Sequence, residues 1–211
     1  MLRDLWHGLL ELLAPPTCAA CGAPLEARED GFCEGCALLL DEFPNVESSD
    51  DRAAYAYGGP VAEAITQLKY RGHSHHARVL SSLLVDTADG WQGRIERVCV
   101  VPLHGRRLRE RGFNQSALLA APVARALGAR FDPWLLCRTH ETKTQVGANP
   151  VARRQQLRGS FLARPRARGA NVLVVDDVRT TGATLHEARR ALSEQQAGRV
   201  YTLTLAAVER N

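Results

Sequence analysis

The stretch VLVVDDVRTTGAT, residues 172–184, carries the strongest structural signal in the 211-residue chain. Its first four residues are valine or leucine, a composition typical of a buried parallel strand. Asp176 and Asp177 follow in a turn, and small residues then lead into a helix expected over about 183–196. This order of strand, polar turn and helix predicts an open α/β sheet, in which ligands bind beyond the carboxyl ends of the strands.

The small-residue turn after the two acids is suited to a phosphate monoester. Such a turn presents consecutive backbone N–H groups at the positive end of a helix, with hydroxyls beside them. The alternative is that the acids and threonines only cap a helix, and the thirteen-residue agreement with strand, turn and helix argues against it. The predicted phosphate-binding residues are Thr180, Thr181, Gly182, Ala183 and Thr184.

The whole stretch resembles the ribose-phosphate motif of type I phosphoribosyltransferases. The resemblance implies that Asp176 and Asp177 are the catalytic acids and hold the ribose 2- and 3-hydroxyls, while residues 180–184 hold the 5-phosphate. It also implies Mg²⁺, because phosphoribosyl transfer leaves negative charge on the departing diphosphate that cations must stabilise.

The rest of the chain alternates between strand and helix patterns, as an α/β domain requires. Pro122 lies inside one helical segment and is expected to kink or restart it. The predicted strands cover about 53–57, 97–101, 134–137 and 199–208, and the predicted helices about 61–70 and 76–88.

A cluster of arginines follows the strand at 97–101. The segment VPLHGRRLRERGFNQ, residues 101–115, is polar, and its part 102–113 is predicted to be a functional loop. The density of cations indicates a polyanionic ligand, a solvated basic loop being the alternative. The cluster consists of Arg106, Arg107, Arg109 and Arg111.

This segment resembles the corresponding stretch of the ComF family of competence proteins, in the position of a pyrophosphate loop. The agreement includes Gly112, Asn114 and Gln115 as well as arginines of the cluster. Lys69, in QLKYRGH, also matches a ComF position, although an isolated lysine is equally typical of a solvated helix end. The resemblance implies that Lys69 and the arginines bind pyrophosphate or DNA.

Four of the six cysteines are arranged as C-x₂-C, eleven residues, C-x₂-C. Each pair can form a tight turn whose thiolates converge with the other pair on a tetrahedral metal. A reducing compartment and this spacing favour structural Zn²⁺ over a four-thiolate iron site or disulfides. The predicted ligands are Cys18, Cys21, Cys33 and Cys36.

Three segments are predicted along the chain: an amphipathic N-terminal helix over 1–16, the zinc module over 17–41, and a phosphoribosyltransferase-like domain over 52–211. No window of eighteen uncharged apolar residues occurs, so neither a membrane span nor a signal-peptide core is expected, and we expect a cytoplasmic protein.

The ComF resemblance covers essentially the whole chain and implies a type I phosphoribosyltransferase-like, mostly parallel sheet flanked by helices, with a small zinc ribbon or knuckle. It implies binding of 5-phosphoribosyl 1-diphosphate with Mg²⁺ and a role in DNA uptake or utilisation, through single-stranded DNA and a competence DNA-translocation helicase. The oligomeric state stays open. The alternatives are a nucleobase-salvage phosphoribosyltransferase and a non-catalytic single-stranded-DNA-binding module.

A third ComF-like element lies in the segment 138–161. The family usually has an asparagine at the position that Leu157 occupies here, so a ligand role near residue 157 is in doubt. The matching residues are Arg138, Thr139, Thr144, Gln145, Arg154 and Phe161.

Overall fold

The computed structural model describes residues 16–46, 49–70, 74–139 and 157–209. Helices and strands alternate through most of these residues. The helices are α1 (Glu34–Ala37), α2 (Gly59–Tyr70), α3 (Ser74–Thr87), α4 (Gly105–Arg111), α5 (Gln115–Ala126) and α6 (Ala183–Glu194), with a 3₁₀ turn at Pro165–Ala167. The strands are β1 (Asp51–Ala56), β2 (Arg97–Val100), β3 (Arg130–Phe131), β4 (Leu136–Arg138), β5 (Phe161–Ala163), β6 (Val172–Arg179) and β7 (Val200–Ala207).

Five strands form one parallel sheet in the order β1-β7-β6-β2-β3. The register places Val98 beside Leu173, and Leu173 beside Tyr201. β6 is the middle strand, and its first four residues are buried on both faces of the sheet, which explains their continuous apolar run in the sequence. β4 and β5 pair separately as an antiparallel ribbon.

The period of two along β6 divides the core into two layers. Leu173 and Val175 face α2, α3 and α5, whereas Val172 and Val174 face α6 and the β4–β5 ribbon. Helices therefore cover both faces, and the carboxyl ends of β2 and β6 open at the same edge.

The cysteine module is part of the first layer. Cys18, Ala19 and Phe32 are buried in the same cluster as the side chains of α3. Gly31 has a φ of +76°, and a Cβ there would lie 1.9 Å from Cγ1 of Val79. Only a glycine permits this close approach, so the module packs directly against the sheet domain. The predicted N-terminal helix lies outside the described residues, apart from Pro16.

The expectation of a loop over 102–113 was wrong, because α4 occupies most of it. His104 begins this helix, its Nδ1 accepting a hydrogen bond from the backbone N–H of Arg106 at 3.2 Å. Gly112 ends it in the left-handed conformation, with φ +80°. Arginine and leucine are good helix formers, and their propensity outweighs the polar character that indicated a loop.

The helix does not restart at Pro122, since α5 runs through it. Proline has no N–H, so the helix lacks the backbone bond from residue 122 to the carbonyl of Leu118. The two acids do not form a turn either. β6 continues past them to Arg179, which still pairs with Ala207 of β7.

Among the described residues, no helix combines the length and hydrophobicity that crossing a membrane requires.

Candidate functional site

Asp176 and Asp177 lie within β6, at the edge where the sheet opens, and both side chains are buried. Oδ1 of Asp176 accepts hydrogen bonds from Oγ of Ser116 at 3.1 Å and from the backbone N–H of Asp177 at 3.0 Å. Ser116 is in the first turn of α5, so this bond fixes the acid relative to the segment that follows β2.

Lys69 compensates the second acid. Its Nζ lies 2.5 Å from Oδ2 of Asp177, at the last turn of α2. Burial alone would raise the pKa of Asp177, but the nearby ammonium of Lys69 outweighs it and holds that pKa below its usual value. Lys69 was predicted as a pyrophosphate or DNA contact, and the structure places its ammonium against Asp177.

The pKa of Asp176 is raised well above its usual value, first by burial and then by the negative charge of Asp177. The two acids therefore differ: Lys69 lowers the pKa of Asp177, whereas burial and the charge of Asp177 raise that of Asp176.

The turn after β6 joins the acids to the first turn of α6. Gly182 adopts the left-handed conformation, with φ +69°, and gives the helix no side-chain cap. Oγ1 of Thr181 accepts a hydrogen bond from the backbone N–H of Ala183 at 3.4 Å, a long and weak contact. Thr180 is exposed and Thr184 half-buried. The start of the twelve-residue helix α6 thus presents its amides and hydroxyls beside the acids.

The segment after β2 ends at the same edge. Val101 donates its backbone N–H to the carbonyl of Val175 at 3.2 Å, and its own carbonyl accepts from Nδ2 of Asn114 at 3.0 Å. Oδ1 of Asn114 accepts from the backbone N–H of Ser116 at 3.1 Å, which begins α5. These bonds anchor both ends of the segment that carries α4, Val101 and Asn114, at the end of β2.

The arginines of α4 are not equivalent. Arg106, Arg107 and Arg109 are exposed, and Arg106 is paired with Glu110, with Nε and Oε1 2.8 Å apart. Arg111 is half-buried and donates a hydrogen bond to Oε1 of Gln115. Its guanidinium carbon lies 5.4 Å from the centre of the Tyr70 ring, so Arg111 contacts the end of α2 that also carries Lys69.

The four sulfur atoms of the cysteine module all lie within 4.8 Å of one another, and those of Cys21 and Cys33 are 3.7 Å apart. Tetrahedral zinc with bonds of about 2.3 Å requires sulfurs about 3.8 Å apart, whereas a disulfide requires about 2.0 Å. All four cysteines are free thiols. The cluster therefore has the geometry of a four-thiolate metal site.

The turns around the cysteines support this geometry. The backbone N–H of Gly22 donates to the carbonyl of Cys18 at 3.0 Å, with φ +75° at Gly22. Burial raises the pKa of Cys18, but backbone N–H groups of Cys21, Cys33 and Ala20 outweigh it and lower that pKa to about 6. These bonds favour a thiolate at Cys18, the form that binds metal, whereas burial and the neighbouring cysteines raise the pKa of Cys36 to about 12.

The phosphoribosyl transferase domain family matches residues 114–211, which include α5, β6 and the start of α6. The DNA utilization protein YhgH of Salmonella typhimurium is 32% identical over 189 residues, covering 87% of this chain and 80% of the relative. The competence protein ComFC of Bacillus subtilis is 28% identical, covering 89% of this chain and 76% of that protein. The chain belongs to the ComF family.

The adenine phosphoribosyltransferase from Thermoanaerobacter pseudethanolicus is similar at 15% identity and a TM-score of 0.45, with 82% of this chain and 87% of that chain covered. The predicted fold class of this ComF protein is confirmed. It has the mostly parallel, helix-flanked sheet of a type I phosphoribosyltransferase, with four clustered cysteines near the N-terminus.

Sequence reasoning missed two contributors to the site of this ComF protein, Ser116 and Tyr70. Ser116 has a weak signal, because Asn114 two residues earlier is a good helix N-cap and places Ser116 in a first turn. The matched residues Thr144, Gln145 and Arg154 lie outside the described residues. Leu157 is buried, and the backbone N–H of Gly159 donates to Oε1 of Glu187 at 2.6 Å, so the end of that segment packs on α6.

Replacing Lys69 with methionine should destabilise the protein by about 2 to 3 kcal/mol near pH 7, because Asp177 is left buried without its counter-charge. The value is below that of a fully buried pair since 24% of the Lys69 side chain is exposed. Chemical denaturation of both proteins between about pH 7 and pH 5 measures the difference.

The sign of the pH dependence follows from the pKa of Asp177. In the wild type this pKa is lowered, so the ion pair stabilises the fold above the unfolded-state pKa and is lost as pH falls through the folded-state value. In Lys69→Met nothing opposes the effect of burial, so the pKa of Asp177 rises. Acidification then neutralises the buried carboxylate, and the loss of stability relative to the wild type should become smaller. Arg125→Met, an exposed control on α5, should cost little at any pH. A deficit of Lys69→Met that is independent of pH would contradict the ion-pair account.

Proposed function

We propose that this ComF protein binds 5-phosphoribosyl 1-diphosphate with Mg²⁺ at the carboxyl ends of β2 and β6, and handles single-stranded DNA in the cytoplasm. The observation that carries the first part is that Asp176 and Asp177, near the end of β6, are followed directly by the start of α6. A ribose with a 5-phosphate needs both an acceptor for its hydroxyls and an anion site. The acids and the turn that could supply them follow each other directly along this chain.

In this proposal Asp176 and Asp177 hold the ribose hydroxyls and the turn 180–184 holds the 5-phosphate. Oδ1 of Asp176 accepts hydrogen bonds from Ser116 and the backbone, and in this proposal its second oxygen accepts the bond from a ribose hydroxyl. In this proposal Lys69 pairs with the carboxylate of Asp177 until a ribose hydroxyl or a cation also binds that carboxylate.

The diphosphate is assigned to α4 and the metal. Mg²⁺ is usually bound by one or two carboxylates together with substrate phosphates, which suits a site with two aspartates beside a nucleotide-like ligand. When bound, the metal supplies positive charge to the diphosphate. Arg111 and the exposed arginines of α4 add guanidinium groups, which hold phosphate oxygens in a planar, two-pronged contact.

The DNA part of the proposal is supported by the relatives, one of which is called a DNA utilization protein and another a competence protein. Exposed arginines on α4 supply the cationic surface that a nucleic-acid backbone requires. A competence DNA-translocation helicase is the partner class we propose for delivery of the strand. The free thiols of the cysteine cluster fit a reducing cytoplasm.

We further propose that the cysteine cluster holds one structural Zn²⁺. Four thiolates fill a tetrahedral shell and leave no open position, so the ion contributes to folding and not to chemistry. Because Cys18 and Phe32 pack in the main core, metal binding also stabilises the layer that covers α3.

Asp177→Asn should weaken binding of 5-phosphoribosyl 1-diphosphate by about 10- to 100-fold, because the amide keeps the shape of the side chain but removes the charge that accepts a hydroxyl. Titration calorimetry with the ligand and Mg²⁺ measures the effect. Asp86→Asn, an exposed aspartate on α3, is the matched control and should bind as the wild type does. Equal affinity of Asp177→Asn and wild type would refute the assignment of the acids.

Protein purified without chelators should contain about one zinc per chain, and Cys33→Ser should lose it, because three thiolates no longer close the shell. Elemental analysis measures the zinc content of the wild type and of Cys33→Ser, and thermal denaturation compares their stability. Cys137→Ser changes a cysteine outside the cluster and should retain the metal. Equimolar iron would overturn the choice of metal, and absence of both metals would overturn the site.

A further inference from the structure

An exposed aromatic ring lies at the rim of the proposed ribose-phosphate site. Tyr70 is 76% exposed at the end of α2, directly after Lys69, whose ammonium contacts Asp177. Single exposed apolar side chains are common on protein surfaces and need no function. Tyr70 differs because its ring is fixed by a cation and sits beside a row of further cations.

Arg111 fixes the ring from one side. Its guanidinium carbon is 5.4 Å from the ring centre, and its hydrogen bond to the buried Gln115 restricts its own movement. Since three quarters of Tyr70 is exposed, the face turned away from Arg111 is open to solvent. The ring is thus a pre-oriented flat surface with one face available.

The adjacent cations are spaced along α4. Arg107 and Arg111 are four residues apart, so their side chains lie on the same side of the helix, about 5–6 Å apart at Cβ. Arg107 and Arg109 are exposed, and Glu110 lies among these cations, paired with Arg106. Arg111 lies over the Tyr70 ring, so a strand that follows the cations one turn apart reaches this ring.

We propose that Tyr70 stacks one base of single-stranded DNA while Arg107 and Arg111 hold the adjacent backbone. An aromatic face next to a cationic row is the combination by which proteins bind single strands without sequence preference. A duplex hides the faces of its bases, so the arrangement selects single strands. This inference rests on the DNA part of the proposed function and assigns it a site that touches the ribose-phosphate site through Lys69.

The test is a fluorescence-anisotropy titration at low salt with labelled oligo(dT) and with an abasic strand of equal length. Tyr70→Leu should weaken oligo(dT) binding roughly five- to a hundred-fold, the range for loss of one stacked base, and should leave abasic-strand binding unchanged. Tyr70→Phe keeps the ring and should bind as wild type. Arg107→Gln should weaken both strands alike and reduce the salt dependence, because it removes a phosphate contact.

Tyr57→Leu is the matched control, an exposed tyrosine at the end of β1, and should leave both affinities unchanged. Tyr70→Leu that binds oligo(dT) as wild type does, or that loses both strands equally, would overturn the stacking role. If the wild type binds neither strand, the DNA part of the proposed function fails, while calorimetry with 5-phosphoribosyl 1-diphosphate still decides the other part. Another outcome is that a free nucleobase competes with the strands while oligo(dT) and the abasic strand bind equally well. That result would assign Tyr70 to binding a small acceptor molecule and would overturn the inference.

Discussion

The contact between Lys69 and Asp177 is the interaction on which the site depends. Two adjacent carboxyl groups are buried at the end of the central strand, and an uncompensated buried charge costs several kcal/mol. Lys69 compensates one acid, while Ser116 and the raised pKa of Asp176 accommodate the other. Each partner comes from a different helix. Consequently α2, α5 and β6 are held in one arrangement by the same groups that are proposed to meet the ribose.

This arrangement also explains why the proposed sites for 5-phosphoribosyl 1-diphosphate and for single-stranded DNA lie side by side. The end of α2 carries Lys69 toward the acids and Tyr70 toward solvent, and Arg111 joins that end to α4. A change that moves α2 therefore alters both surfaces together. The cysteine module packs on α3, and Gly31 brings its backbone against Val79, so metal loss is expected to loosen the layer behind α2 as well.

The sequence was most informative where a local pattern and a chemical motif coincide. The run of valines and leucine before Asp176 predicted the buried strand, and the small residues before a helical pattern predicted the turn into α6. The cysteine spacing predicted the cluster, because each C-x₂-C pair forms a tight turn that depends only on neighbouring residues.

Other features depend on contacts between distant segments and could not be predicted. Nothing near Lys69 in the sequence indicates that its partner is an acid more than a hundred residues later. The helix α4 was missed because its polar composition resembles a loop, although its propensity and its terminal Gly112 favour a helix. Pro122 lies inside the continuous helix α5 although proline disfavours a helix interior, so its local signal was misleading.

The central claim is that the carboxyl end of β6 and the start of α6 bind a ribose phosphate. The most direct measurement is a crystal structure of the protein with 5-phosphoribosyl 1-diphosphate and Mg²⁺. We predict the 5-phosphate at the backbone N–H groups of residues 181–184 and the ribose hydroxyls on Asp176 and Asp177. A ligand bound elsewhere, with this edge of the sheet empty, would contradict the account.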